Sequence, residues 1–228
     1  MPKALTWDEV GERLYSTGVS HGVLYTQASN GAYETGVAWN GLTAVNESPG
    51  GGETTSLYAN DDKYLDLVSV ETYGFTLEAY DSPDEFEKCD GSKEITPGVY
   101  AGQQNRSAFG FCFRSQIGND TEGSDHGYEL TIVYGCKASP SSRSHSTINE
   151  SPEAQTLSWE CKSTPVTFPA GYKKASTIKI KTPKLDTTAL GYLATLEAIL
   201  YGSSTADARL PLPAEVISIM TTGSYTPG

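Results

Sequence analysis

The sequence predicts a mainly β fold, a sandwich or barrel with one flanking helix. Three observations predict it. Apolar and polar residues alternate with period two in segment after segment, the pattern of strands that bury one face. Tyr and Gly are abundant, 14 and 23 of 228 residues, against two Met, a bias toward strands and turns. Helical spacing is clear in a single stretch near the C-terminus. The length suits one large domain, residues 1–228, and a 37% hydrophobic fraction suffices for one core.

Residues 6–16 read as a short helix, with Thr6 as cap and Glu9 at capping-box spacing. Strands are expected over residues 19–26 and 37–45, and a less regular one over 64–70. Residues 47–62, ESPGGGETTSLYANDD, read as an extended loop. In YGFTLEAY (73–80), Tyr73, Phe75, Leu77 and Ala79 share a face. The chain then breaks at Ser82-Pro83 into Asp84, Glu85 and Glu87, with one helical turn over 83–89. Phe109, Phe111 and Phe113 alternate with Gly110, Cys112 and Arg114. Tyr128, Leu130, Ile132, Tyr134 and Cys136 form another face, as do Leu157, Trp159 and Cys161, and Ile178 with Ile180. Together these make about eight strands. Residues 118–127 read as a polar hairpin tip or loop, and residues 138–155, rich in Ser and Pro, as a long loop. The helix is expected over 187–202, capped by Asp186 or Thr187, with Leu193, Leu196 and Leu200 on one face, Leu190 as a candidate fourth member, and Gly202 ending it. After Leu210-Pro211-Leu212-Pro213, the run Val216-Ile217-Ser218-Ile219-Met220 reads as an edge strand or an arm for a neighbouring subunit.

The formal net charge is −12. Residues 1–115 hold 17 acids and 7 bases, and residues 116–228 hold 11 and 9. Binding to nucleic acid by counterion release is excluded as an expectation, because that needs clustered Lys and Arg. The opening MPKALTWDEVGERLY is charged and amphipathic, so no secretory leader is expected, and no run approaches the ~18 apolar residues of a membrane span. Cys89, Cys112, Cys136 and Cys161 lie more than 20 residues apart. They read as buried free thiols on strands, with disulfides or a zinc site as the alternatives. Asn105, Asn119 and Asn149 each start a glycosylation triplet, read as a chance match without a leader.

No catalytic constellation emerges. The histidines are His21, His126 and His145. His21 reads as a half-buried, hydrogen-bonded residue on the 19–26 strand. Zinc-protease, nucleophile-elbow, Walker and dinucleotide patterns are missing. Asp84, Glu85 and Glu87 have the chemistry of a glycosidase carboxylate pair, but a solvated turn is simpler. Asp120, Glu122 and Asp125 are oxygen ligands without EF-hand spacing, read as a solvated loop with a weak calcium site as the alternative.

Long blocks carry a resemblance: GVSHGVLY (18–25), GVAWNGLTAVNESPGG (36–51), KYLDLVSVETYGFTLEAYDSPDEFEKCDG (63–91), GQQNRSAFGFCFRSQIGNDTEG (102–123), HGYELTIVYGCKASPSSRSHSTINESPEA (126–154), TLSWECKSTPV (156–166) and LGYLATLEAILYG with ARLPLPAEVI (190–217). These resemble the major tail protein, or tail tube protein, of long-tailed phages with flexible tails. The resemblance implies a tail-tube-type β-sandwich with one flanking α-helix and long inter-subunit loops. Six copies would close into a ring whose inner sheets form a ring-wide β-barrel. Rings would stack into a tube around the tape-measure protein, with tail terminator and tip proteins as further partners. DNA would pass through without specific binding, and no membrane partner is implied. The location would be the virion tail, assembled in the host cytoplasm. No catalytic residue, cofactor or metal is carried over.

The family's loop to the adjacent ring corresponds to residues 47–62, with Pro49, Gly50, Gly51, Gly52, Glu53 and Thr54 as the contact segment. Residues 208–228 correspond to a C-terminal arm. The density of acids in one strand-plus-turn stretch makes Asp66, Glu71, Glu78, Asp81, Asp84, Glu85 and Glu87 the lumen candidates, several of which would line or rim it and repel phosphate. The competing readings are the tube of a phage-like injection machine, a tail-associated β-sandwich binding module using the abundant Tyr, and a hydrolase using residues 84–87.

Overall fold

Alternation is realised as twelve strands among the described residues. In the computed structural model, residues 4–148, 150 and 154–225 are described. The strands are β1 (Tyr15–Thr26), β2 (Val37–Ala38), β3 (Leu42–Glu47), β4 (Thr54–Ala59), β5 (Asp62–Val68), β6 (Gly74–Ala79), β7 (Lys93–Thr96), β8 (Val99–Ala101), β9 (Phe109–Asn119), β10 (Gly123–Ala138), β11 (Leu157–Ser163) and β12 (Thr177–Lys181). Two helices follow, α1 (Thr187–Tyr201) and α2 (Pro213–Thr222). The fold is mainly β, with antiparallel sheets.

Eight strands form one sheet in the order β2-β1-β9-β10-β11-β6-β3, with β12 also on β10. The long β10 organises it. Its residues 129–133 pair β12 and its residues 136–138 pair β11, both on the edge opposite β9. The sheet divides there, because the register slips between Val133 and Cys136. Gly135 sits at that slip with φ +63, and a Cβ on it would lie 2.6 Å from the Thr164 carbonyl oxygen. Only glycine fits both demands. β12 therefore continues the β1–β9–β10 layer, while β11, β6 and β3 turn over it.

Two cores follow from the two faces of that layer. Between the layers lie Leu24, Phe75, Leu77, Phe109, Phe111, Phe113, Trp159 and Cys161, all buried. Trp39, in the turn between β2 and β3, is their hub. Its ring lies 4.7 Å from Phe86, 5.7 Å from Trp159 and 5.8 Å from Phe111, and its Nε1 donates to the Asp81 carbonyl at 2.9 Å. On the other face, Val23, Cys112, Leu130, Ile132, Tyr134 and Ile180 meet Leu193, Leu196 and Leu200 of α1 and Val216 and Ile219 of α2. Each such side chain contributes about 1.5–3 kcal/mol on burial. Tyr25 Oη donates to the Leu200 carbonyl at 2.6 Å and Tyr134 Oη to the Pro211 carbonyl at 2.9 Å, tying the helices to the sheet.

Several expectations need correction. Residues 6–16 form no helix: Asp8 and Gly11 have positive φ, and β1 already starts at Tyr15. The strand over 37–45 is two strands, split where Gly41 turns with φ +73, so that β2 pairs β1 and β3 pairs β6. The extended loop 47–62 is the ascending half of a hairpin, β4–β5. The hairpin-tip reading of residues 118–127 holds, since β9 runs to Asn119 and the antiparallel β10 starts at Gly123. Cys136 leaves the face of Leu130, Ile132 and Tyr134 and joins the inter-layer core, because the Gly135 bulge inverts the alternation.

The single flanking helix is two, and the expected edge strand or arm is α2. Pro213 starts α2, and Gly223 ends it with φ +77 while its N–H bonds the Ile219 carbonyl. Leu210, Val216 and Ile219 are buried in the chain's own second core, so residues 208–222 are not a free arm. Residues 226–228 lie outside the described residues. The α1 expectation holds: Asp186 caps it by accepting from Ala189 N at 2.8 Å, and Gly202 closes it.

Candidate functional site

The most unusual element is the β4–β5 hairpin. Its strands pair only with each other. Its neck is built by the glycines of the 49–54 segment. Gly50 and Thr72 exchange both backbone hydrogen bonds, at 2.8 and 2.7 Å, and Glu53 and Ser69 clamp the next rung. Gly51 and Gly52 have φ +79 and +70, and a side chain on Gly51 would collide with the Val70 carbonyl. Asn60 and Asp61, both at positive φ, make the tip, a two-residue turn of the type that favours Asn and Asp. Pro49, Gly50, Gly51, Gly52, Glu53 and Thr54 are thus the root of the projection, and its reaching part is residues 54–68. Every residue of β5 is exposed. Tyr58 and Tyr64 are 73% and 69% exposed, and Leu57, Leu65, Leu67, Val68 and Val70 are exposed with them. An isolated two-stranded hairpin is marginal in water. This one exposes large apolar side chains on both of its strands.

The seven acids do not form one patch. Asp66 lies on the hairpin, 2.6 Å from Ser56 Oγ and 2.7 Å from Lys63 Nζ, contacts that hold its carboxyl below the usual range. Glu71 stands exposed at the neck. Glu78 lies on the outward face of β6, beside Asn46. Asp81, Asp84, Glu85 and Glu87 follow the far end of β6. Asp84, Glu85 and Glu87 do converge, with Glu94, on an open cleft of 480 Å³ between the helical turn Asp84–Phe86 and the β7–β8 hairpin. Lys88 and Lys93 share that cleft, and Lys88 is paired with Glu34. Burial and then Glu94, Asp84 and Glu87 raise the Tyr100 phenol there. The β7–β8 hairpin itself was missed in the sequence. Its signal is Thr96-Pro97-Gly98 between two short alternating runs, a turn signature.

Other candidate chemistry disperses. His21 is exposed rather than half-buried, held at φ +53 in an irregular stretch of β1 and bonded to Ser20 Oγ at 3.0 Å. Asp120 binds Gly11 N at 2.9 Å and Arg13 at 3.6 Å, while Glu122 turns to His126 at 2.7 Å. Among the described residues no three His, Cys, Asp or Glu side chains are grouped to hold a metal ion. Asn119 is buried, accepting from Thr121 and Glu122 N–H groups and donating to the Gly11 carbonyl, so its amide is structural. Asn149 lies outside the described residues.

The four cysteines are free and buried. Burial pushes Cys89, Cys112 and Cys161 up to about 12. One polar cluster escaped the sequence reading because its parts are far apart in the chain. Arg114 pairs Glu197 at 2.6 Å, bonds Tyr201 Oη at 3.1 Å and stacks 4.3 Å above the Tyr128 ring. Burial and the Glu197 carboxylate push the Tyr128 phenol up to about 12. All four groups are mutually satisfied, and they lock α1 onto β9 and β10.

No helix among the described residues is long and apolar enough to cross a membrane. No protein-family model matches the chain, and no curated protein matches it.

Proposed function

We propose that this chain is the structural subunit of the tail tube of a long-tailed phage with a flexible tail. The observation that carries the reading is the projecting β4–β5 hairpin, whose apolar side chains stand in water on an isolated subunit. Such a surface suits a protein whose working state is a polymer of itself. The long sequence blocks resembling tail tube proteins give the polymer its identity. Hexameric rings of the sandwich would stack into a hollow tube around a tape-measure protein, with terminator and tip proteins at its ends. The inner sheets would close into a ring-wide barrel, which removes exposed strand edges. At −12 per subunit, the tube carries a negative field, and DNA would pass without finding cationic partners. Glu78, on the outward face of β6, and the cleft acids Asp84, Glu85 and Glu87 are the lumen candidates that lie on the sheet or beside it. The role is structural rather than catalytic.

Negative-stain microscopy of the purified, concentrated protein tests this. Rings or tubes of uniform diameter are expected. A protein that stays monomeric at high concentration overturns the reading.

A further inference from the structure

Residues 4–14 carry apolar side chains that neither core takes up. The segment precedes β1 and forms neither strand nor helix. Leu5, Trp7 and Val10 are 78%, 77% and 77% exposed. Of the three tryptophans, Trp39 and Trp159 are buried in the inter-layer core and Trp7 stands in water. The segment is nevertheless held. Asp120 Oδ1 accepts from Gly11 N at 2.9 Å, Asn119 Nδ2 donates to the Gly11 carbonyl at 3.3 Å, and Arg13 pairs Asp120 at 3.6 Å. Arg13 Nε also donates to the Asp8 carbonyl at 3.0 Å, closing a turn in which Asp8 takes φ +54, a backbone that Asp tolerates. Trp7 is thus the neighbour of a built turn and not part of a loose end.

A groove of matching chemistry lies at the foot of the same segment. It holds 220 Å³ and is lined by Leu14, Tyr15, Ile117, Lys181, Pro183 and Lys184. Both lysines are exposed, and they belong to residues 161–185, which hold six Lys and no acid. Residues 4–14 are the converse, with Asp8, Glu9 and Glu12 against Arg13, which Asp120 already engages. An exposed indole beside acids and an apolar groove beside lysines are complementary. The chain's own groove begins three residues past Gly11, yet the contacts on Gly11 and Arg13 leave Trp7 in water. Those contacts set no such limit on the groove of another copy.

Taking from the function proposed above only that copies of this chain meet, we propose that Trp7 of one copy inserts into the Leu14–Ile117–Pro183 groove of a second copy. Asp8 and Glu9 then face Lys181 and Lys184. The contact is small, and such contacts are carried by an aromatic anchor in a pocket ringed by polar groups. It uses no residue of the β4–β5 hairpin or its neck.

Contact quenching tests it, because indole quenches a bimane fluorophore at short range. Bimane is placed on Ser16→Cys, in the groove lining, of a chain that also carries Trp7→Phe; the native thiols are buried and stay unlabelled. Adding unlabelled chain with its Trp7 should quench the fluorophore, and adding a Trp7→Phe chain should not. Lys181→Glu with Lys184→Glu on the labelled chain should raise the half-quenching concentration about ten-fold. Asp8→Lys with Glu9→Lys on the added chain should restore it. In sedimentation, Trp7→Ala should weaken self-association of the unlabelled protein about ten-fold. Equal quenching of a bimane on Lys137→Cys, indifference to charge reversal, or unchanged association of Trp7→Ala overturns the proposal. So does quenching in a dilute chain that carries both Trp7 and the fluorophore, which places Trp7 on its own groove. Tubes without quenching leave the tube reading standing and sink this contact. Quenching without tubes does the reverse, and a protein that gives neither loses both.

Discussion

At Gly135 one residue decides the course of a whole sheet. Its left-handed backbone inserts the bulge that sends Cys136 and Ala138 into the inter-layer core while Leu130, Ile132 and Tyr134 face the helices. Gly135→Ala meets both a strained φ and the Thr164 carbonyl. It should lower unfolding free energy by about 1–3 kcal/mol, read from denaturant midpoints. The buried thiols give a second test. Unfolded, a thiol loses its proton near pH 9, whereas the folded Cys89, Cys112 and Cys161 hold theirs to about 12. Their folded values are raised, so the stability they carry is whole below pH ~9 and is lost as pH rises toward 12. Each costs roughly 1.4 kcal/mol by about pH 10. Thermal midpoints should fall steeply from pH 9 to 11, and a thiol reagent at pH 8 should label the protein only after unfolding.

Among the elements, α2 shows how context overrides local preference. The run of Val216, Ile217 and Ile219 favours a strand by composition. It becomes a helix because Pro213 pre-sets its first turn and because Val216 and Ile219, three residues apart, both land on the second core. A strand would instead bury 216, 218 and 220. Ile219→Ala should therefore cost about 2–5 kcal/mol while Ser218→Ala costs under about 0.5 kcal/mol, measured by urea unfolding. The Asp186 cap of α1 is a smaller contribution: Asp186→Ala should cost about 1 kcal/mol and fray the first turn, visible in amide exchange.

On the scale of the whole molecule, the chain divides into a double-cored sandwich and a hairpin whose side chains join neither core. The two-bond closure between Gly50 and Thr72 marks the boundary. Excising residues 53–69 and joining the ends with a short turn should leave the thermal midpoint within a few degrees of the parent. The same change should abolish rings and tubes in the electron microscope. A truncated protein that still assembles to normal length would assign the contacts elsewhere. Charge works at this scale too. Acids concentrate before residue 95 and lysines between 161 and 185, so association of the chain should weaken as salt rises.

Strand faces such as Phe75-Leu77-Ala79, Phe109-Phe111-Phe113 and Leu157-Trp159-Cys161, the α1 stripe with its Asp186 cap, and the burial of all four cysteines were legible in the sequence. Each is a local pattern whose period alone selects a face. What sequence could not show were the outcomes set by long-range partners. A β-bulge shifts period by one residue without changing composition, so alternation alone puts Cys136 on the wrong face. The 47–62 stretch reads as loop because β4 buries no face for periodicity to mark, although its mate β5 is legible as the irregular strand over 64–70. Asp84, Glu85 and Glu87 share a cleft only because β7–β8 folds beside them, and Arg114 meets Glu197 only because α1 crosses β9. Local periodicity determined which residues are buried. The tertiary structure decided against what they are buried, because that choice is made by partners dozens of residues away.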